Sequence, residues 1–376
     1  MKYCIKCLQP DTRPGIQFDH FGLCPACNYH DSLAKVDWGH RMDELQEIVA
    51  FGRKYNQTGY DCIIGVSGGK DSTRQAIFVK TVLGMKPLLV NLAYPPEQIT
   101  QRGVDNVSNM LQHGFDCISI NPAPQTWRAL MRKGFFEYTN WARSTELALF
   151  SSVPRLAIAY QIPLIWWGEN PALTLGDKGG LSDKGFDGNK ARYNNTLGGG
   201  DITWLLDSEI RKSDIIQYCY PSQEDMERAH LRIIYLGYFW EKWSLIENGN
   251  FSALRGLEIR NEKPWEIGDP LGITSLDENW VTLNQMIKYL KYGFGRITDY
   301  VNEDIRNGRM TRDVGISLCE RFDGTCSSQY IESFSAYIGI TVQQFWDQVD
   351  KSVNKKLFSK EAIGVYKPRF KVGIGI

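Results

Sequence analysis

The sequence predicts an α/β protein: a parallel sheet with helices on both faces, preceded by a small cysteine-paired module and followed by a mostly helical region. Three observations lead there. Between residues 61 and 167, apolar runs of strand length alternate with amphipathic segments of helix length, the pattern of a parallel sheet covered by crossover helices. The first run stops at Ser67-Gly68-Gly69-Lys70-Asp71-Ser72, a glycine-rich turn that leads directly into helical periodicity. Ahead of both stand two Cys-x-x-Cys pairs, Cys4/Cys7 and Cys24/Cys27, with sixteen residues between them.

Residues 1–37 hold those pairs. Their spacing matches a zinc ribbon, in which two turns each offer two thiolates to one tetrahedral Zn²⁺. The bland alternative is two unrelated buried pairs. His20 and His30 are close enough in sequence to replace a ligand, but four thiolates suffice, and a closed set is structural rather than catalytic. Small modules of this kind often fold only with metal.

The main domain is expected over residues 38–220. Trp38 to Tyr55 carries Leu45, Ile48, Val49 and Phe51 among charges and reads as an amphipathic helix. Next come a strand at Asp61 to Val66, a helix at Lys70 to Leu83, a strand at Lys86 to Ala93, a helix at Glu97 to His113 and a strand at Cys117 to Ile120. Helices around Gln125 to Tyr138 and Thr145 to Tyr160 precede a final strand, Pro163 to Trp167. Residues 168–200 break the rhythm with nine glycines and little apolar periodicity. A loop that long suggests a substrate loop, with plain disorder as the alternative. The remainder, 221–376, is expected to be mostly helical. Ser222-x-x-Asp225 reads as a helix start, HLRIIYLGYFWEKW as an apolar helical body, and Thr341-x-x-Gln344 as a capping box.

Composition excludes several classes. The 376 residues are enough for a full core and more than one domain. Lys plus Arg equals Asp plus Glu at 43 each, so the basic excess of a large nucleic-acid footprint is missing and nucleic acid is not an expected partner. The stretch MKYCIKCLQP has no apolar core of signal-peptide length, and Leu147 to Trp167 is interrupted by Pro154 and Arg155. No run reaches the ~20 apolar residues of a membrane span. The expected compartment is therefore the cytoplasm, with no membrane partner. Nine cysteines, odd in number and unevenly spaced, are not a secreted disulfide framework.

The glycine turn is built for phosphate. Glycines let the backbone approach a ligand closely, and the unpaired first amides of a helix favour negative charge. Ser67 and Ser72 add hydroxyls and Lys70 a charge, whereas Asp71 would repel phosphate unless it holds Mg²⁺. The Walker pattern does not fit, because Lys70 is followed by Asp71 and the required first glycine would fall at Ile64. The dinucleotide fingerprint is missing too. Both this turn and Gly168-Glu169-Asn170 fall at carboxyl ends of strands, where open α/β sheets bind ligands. Glu169 as a mere surface acid is the competing reading.

SGGKDS after the first strand resembles the PP-loop of the ATP pyrophosphatases, the adenine nucleotide alpha hydrolase-like group. Within it, CIKC…CPAC, SGGKDST, WWGENPAL, GGGDITWL and YLKYGFGRITDYVNEDIRNGRMTRDVGI resemble the N-acetyl sugar amidotransferases, which make acetamidino sugars for O-antigen lipopolysaccharide and flagellin glycans. SGGKDS alone indicates only the superfamily; the GFGR segment with the cysteine pairs narrows it. The resemblance implies ATP, Mg²⁺ and structural Zn²⁺ as cofactors. It implies that Ser67, Gly68, Gly69, Lys70, Asp71, Ser72 and Gly168 bind nucleotide, with Asp71 holding the magnesium. Asp71, Lys70 and Glu169 would serve catalysis, and Asn170, Asp201, Tyr292 and Arg296 a UDP-linked N-acetyl sugar. Packing between helices is an equal reading of Tyr292 and Phe294.

No glutaminase nucleophile is visible: position 2 is Lys2, and Gly22-Leu23-Cys24-Pro25-Ala26 lacks the last glycine of a nucleophile elbow. Similar enzymes receive ammonia from a separate glutaminase and a cyclase-like protein, and the same partners are expected here. Two rivals stand beside this reading. A PP-loop tRNA thiolase would need sulfur-carrying cysteines near the nucleotide, and Cys62, Cys117, Cys219, Cys319 and Cys326 form no further Cys-x-x-Cys pair. A zinc-ribbon module that merely senses nucleotide would release no pyrophosphate.

Overall fold

A computed structural model describes residues 1–176, 181–182, 185–186 and 200–376. The elements are α1 (Pro25–Ser32), α2 (Trp38–Lys54), β1 (Cys62–Val66), α3 (Lys70–Thr81), β2 (Pro87–Leu92), α4 (Gln101–Gln112), β3 (Asp116–Ile120), α5 (Pro124–Tyr138), α6 (Ala142–Ala159), β4 (Leu164–Trp167) and α7 (Pro171–Thr174). Two short strands, β5 (Leu181–Ser182) and β6 (Gly185–Phe186), pair antiparallel. Then come α8 (Gln223–Arg228), β7 (Arg232–Tyr235), α9 (Leu245–Ala253), α10 (Pro264–Ile267), α11 (Val281–Tyr292), α12 (Arg296–Arg306), α13 (Arg312–Phe322), α14 (Ser328–Ile338) and α15 (Val342–Ser352). A hairpin, β8 (Phe358–Ala362) and β9 (Val365–Pro368), closes the series.

The main sheet has the order β3-β2-β1-β4-β7, and its pairs are parallel. Strand alternation sends its residues into two cores. Cys62, Ile64, Leu89, Leu164 and Trp166 pack with Leu45 and Ile48 of α2 and with Ala76 and Val79 of α3. Ile63, Leu88, Val90, Ile165 and Trp167 pack with Val153 and Ala157 of α6. Both faces of the sheet are thus covered by helices, as predicted. From β1 the chain builds outward to β2 and β3, then returns to place β4 on the other side of β1. The strand order reverses between β1 and β4, the place where such sheets open a crevice.

One element differs from the sequence expectation. HLRIIYLGYFWEKW does not form a helical body; Arg232–Tyr235 is the fifth strand, followed by a short 3₁₀ turn at Leu236–Phe239. Ile233 and Tyr235 enter one core while Ile234 and Leu236 enter the other. Such a run is buried on both faces, and periodicity alone does not separate it from a buried helix segment. The strand at 164–167 is therefore not the last, and the sheet draws on residues beyond 220.

The carboxyl-terminal helices build on the sheet layer. Trp127, Leu130 and Phe135 of α5 share a core with Leu283 and Ile287 of α11, Phe334 of α14 and Phe345 of α15. The capping box holds, with the Thr341 hydroxyl accepting from the Gln344 N–H at 3.1 Å and the Gln344 side chain accepting from the Thr341 N–H at 2.9 Å. Ser222 caps α8, its hydroxyl accepting from the Asp225 N–H at 3.1 Å. Among the described residues, no helix is long and apolar enough to cross a membrane. The proposed substrate loop falls mostly on residues 177–199, outside those described.

Candidate active site

The glycine turn comes directly after β1. Gly68 has φ +75°, and a Cβ there would lie 3.0 Å from the Val107 amide nitrogen and 3.1 Å from the Asn106 Cβ. Both the left-handed backbone and the close approach of α4 demand glycine. Gly69 is the N-cap of α3, so the orphan amides of the first helical turn belong to the residues that line the cavity: Gly69, Lys70, Asp71 and Ser72, with Ser67 beside them. The Ser72 hydroxyl turns back to donate to the Gly69 carbonyl at 3.1 Å.

Lys70 is buried, and its Nζ donates to Asp71 Oδ2 at 2.7 Å. The other oxygen, Oδ1, accepts from Asn248 Nδ2 at 2.6 Å. Asn248 lies on α9 and is itself held by Arg74 Nη1 at 2.7 Å. A second residue of α9, Ser252, donates to the Lys70 carbonyl at 2.8 Å. These partners stand 177 and 182 residues away in the chain. Sequence reading misses them, because no motif marks them.

The end of β4 forms the opposing rim. Gly168 and Glu169 line the cavity, and a Cβ on Gly168 would lie 3.0 Å from Gln75 Oε1. Trp243 Nε1 donates to the Gly168 carbonyl at 2.6 Å. The Glu169 side chain is open to the cavity while crowded by protein around it. That desolvation, with the negative charge of Asp71 second, pushes its carboxyl up to about 7. Asn170 sits behind the rim. It is 2% exposed, caps α7 by accepting from the Leu173 N–H at 3.2 Å, and donates to the Gly237 carbonyl at 3.2 Å.

The far wall is Ile273 to Asp277. Together these groups enclose about 300 Å³, at the small end for ligand sites. Val66, Val90, Leu92, Leu149, Val153 and Trp167 supply its apolar part, and no cysteine is among the described residues that line it.

The predicted substrate residues therefore divide. Arg296, expected at the sugar, is not among the residues that line the cavity. It is 9% exposed and braces the wall, donating to the Thr274 hydroxyl and, at 2.9 Å, to the Ser275 hydroxyl. Asp269 lies 3.8 Å from its guanidinium. Tyr292 ends α11, where its carbonyl accepts from the Thr12 hydroxyl and its ring meets Phe294 at 6.1 Å. Asp201 is exposed and caps its own turn, accepting from the Thr203 N–H at 2.8 Å. Neither lines the cavity. Asn170, Tyr292 and Arg296 stand out by their motifs, and packing turns each to a structural partner instead.

The four amino-terminal cysteines meet as expected. Their sulfurs lie within 4.8 Å of one another, all buried; Cys4 to Cys27 is 3.8 Å and Cys7 to Cys24 is 3.7 Å. Backbone amides of Gln9 and Cys24 donate to Cys7 Sγ at 3.4 Å and Cys4 Sγ at 3.3 Å, the bonds that orient metal-bound thiolates. Tetrahedral sulfur suits Zn²⁺. His20 and His30 stay outside the cluster. The second pair does not sit on a ribbon turn: Cys24 is the N-cap of α1, because Pro25 at the first helical position is pre-set for helix. The module is braced to the carboxyl-terminal helices by Leu8 N–H to Asn302 Oδ1 at 2.7 Å and Arg312 Nη1 to the Cys4 carbonyl at 2.9 Å.

The match to a known family covers the far wall and the carboxyl-terminal helices. Residues 273–371 match the family described as "LPS biosynthesis protein WbpG-like, C-terminal domain". That match supports the resemblance to the N-acetyl sugar amidotransferases. Its first residue, Ile273, is also the first residue of the cavity wall. Among solved structures, one described as "Structure of NMN synthetase from Francisella tularensis" is 15% identical, covers 50% of this chain and 92% of its own, and has a TM-score of 0.28, a likeness too slight to build on. No curated protein matches the chain.

Proposed function

We propose that this chain is an ATP-dependent amidotransferase that converts an acetamido group of a UDP-linked N-acetyl sugar to an acetamidino group, in lipopolysaccharide O-antigen or flagellin glycan synthesis. One observation carries the reading. A single cavity joins the PP-loop turn with Asp71, the Glu169 carboxylate and a wall, Asp277 included, that belongs to the segment matching a lipopolysaccharide biosynthesis family.

An amide oxygen is a poor leaving group. In the first step it attacks the α-phosphorus of ATP, forming an O–P bond while the bond to pyrophosphate breaks. In the second, ammonia adds to the activated carbon, the C–O bond breaks, AMP leaves, and a proton is released with the amidine. The protein's part is positioning and charge stabilisation. Amides of Gly69 to Ser72 bind the pyrophosphate end, and Lys70 exchanges Asp71 for phosphate oxygen. Asp71 keeps lone pairs beyond those given to Lys70 and Asn248. It would hold Mg²⁺ with Glu169 as second carboxylate, and the ion would neutralise polyphosphate charge there. Cys4, Cys7, Cys24 and Cys27 would hold Zn²⁺, which supplies a folding cross-link. Ammonia is expected from a separate glutaminase and a cyclase-like partner. A pure single chain that used glutamine as well as ammonium would refute that requirement.

Pyrophosphate release assayed with ATP and a panel of UDP-acetamido sugars tests the reaction. Release that depends on such a sugar is the expected outcome. Dependence on tRNA instead would indicate the thiolase, which is disfavoured because no cysteine is among the described residues that line the cavity. No release at all would indicate the sensing module.

A further inference from the structure

Asp277 lines the cavity on the wall away from the phosphate turn, and no sequence motif marks it. Apart from its own backbone N–H, no described group donates to its carboxylate. Its neighbour Glu278 is the contrast: 1% exposed, with oxygens accepting from Trp280 N–H at 2.7 Å and Val281 N–H at 2.9 Å. Glu278 is occupied in starting α11; the Asp277 carboxylate has no such task.

Its position is firmly set. The Asp277 carbonyl accepts from the Thr100 N–H at 2.9 Å, and its Cα lies 2.6 Å from where a Cβ on Gly103 would stand. Arg260 clamps the backbone on both sides, with Nη2 donating to the Ser275 carbonyl at 2.8 Å and the Glu278 carbonyl at 2.6 Å. Burial lifts its carboxyl to about 6, still ionised at neutral pH. Asp277 is partly exposed, on the side that lines the cavity, so an occupant that displaces water from its carboxylate is favoured only if it brings hydrogen-bond donors in that water's place. The charges of Arg260 and Arg102 already act on it from the protein side. They oppose a further cation, which leaves neutral hydroxyl donors as the better fit.

We propose that Asp277 is a specificity-determining residue that accepts hydrogen bonds from a vicinal hydroxyl pair of a sugar ring in this cavity. The inference rests on the reading of the cavity as a nucleotide site. Such a pair comes from the ribose of ATP or from a sugar ring of the acceptor.

Calorimetric titration with ATP and with 2′,3′-dideoxy-ATP separates the sources, using the full chain and the Asp277→Asn and Asp277→Ser variants. Wild type is expected to bind ATP at least about tenfold tighter than the dideoxy analogue, as befits a hydrogen bond to a charged group. Either folded variant should lose that ratio. A retained ratio with an acceptor KM raised about tenfold would assign the contact to the acceptor's ring. If neither the ratio nor the acceptor KM moves, Asp277 does not read hydroxyls. Wild type that binds ATP yet ignores Asp277 substitution overturns this proposal alone; wild type that binds no nucleotide overturns the site reading with it.

Discussion

The thiolate cluster and the cavity are built in opposite ways. The cluster gathers four sulfurs from residues 4 to 27 and buries all of them. The cavity gathers groups from β1, β4, α3 and the segment at 273–277, and keeps about 300 Å³ open. A closed set of like ligands serves stability; an open set of unlike groups serves chemistry. Perturbing the first should cost the fold, and perturbing the second should cost turnover with the fold intact.

The largest effect expected is on the open site. Asp71→Asn should lower pyrophosphate release by at least about a hundredfold while leaving the melting curve within a few degrees of wild type. Activity that survived would remove Asp71 from magnesium binding. The cluster should answer the other way: Cys24→Ser, or treatment with a strong chelator, releases zinc and melts the amino-terminal module. Differential scanning calorimetry should show a Tm lowered by about 5 °C or more. An unchanged Tm with no zinc detected by elemental analysis would reduce the cluster to packed thiols.

Gly68→Ala crosses the comparison, since it strains the backbone of the open site. The positive φ and the 3.0 Å approach of Val107 predict a loss of about 1–3 kcal/mol together with weaker ATP binding. Chemical denaturation and nucleotide titration measure both. Glu169 predicts a pH effect. Its carboxyl is raised from 4.5 to about 7, so the ionised form needed to hold a cation is lost as pH falls through that value. The acidic limb of kcat/KM should therefore lie near pH 7 in the free enzyme. The native state binds more protons than the unfolded chain between those values, so this group's effect on stability runs the other way and stability falls as pH rises across the window. Glu169→Gln should flatten that slope. The smallest effect expected is from Arg296→Lys, which keeps charge but loses the forked grip on Thr274 and Ser275; KM should rise a few-fold with kcat nearly kept.

How much the sequence reveals depends on the range of the forces. The strand–helix alternation, the glycine turn after β1 and each Cys-x-x-Cys pair depend on neighbours a few residues away, and each is in place. The strand at 232–235 reads as helix in the sequence because its apolar residues, Ile233, Ile234 and Tyr235, carry no distinguishing period when both sides are buried. Asn170, Tyr292 and Arg296 belong to recognisable segments, yet the Gly237 carbonyl, the Thr12 hydroxyl and the Thr274–Ser275 wall claim them. Asn248, Ser252 and Asp277 carry no local signal at all.

By itself, then, the amino-acid order determined the glycine turn, the two cysteine pairs and the alternating layers, because backbone freedom at Gly68, the spacing within each Cys-x-x-Cys pair and hydrophobic periodicity act within one or two turns of chain. Only the folded molecule decided which distant groups gather at the cavity. Asn248 reaches Asp71 and Asp277 reaches the cavity because sheet order and helix packing bring them there, and those depend on burying surfaces that no short stretch specifies.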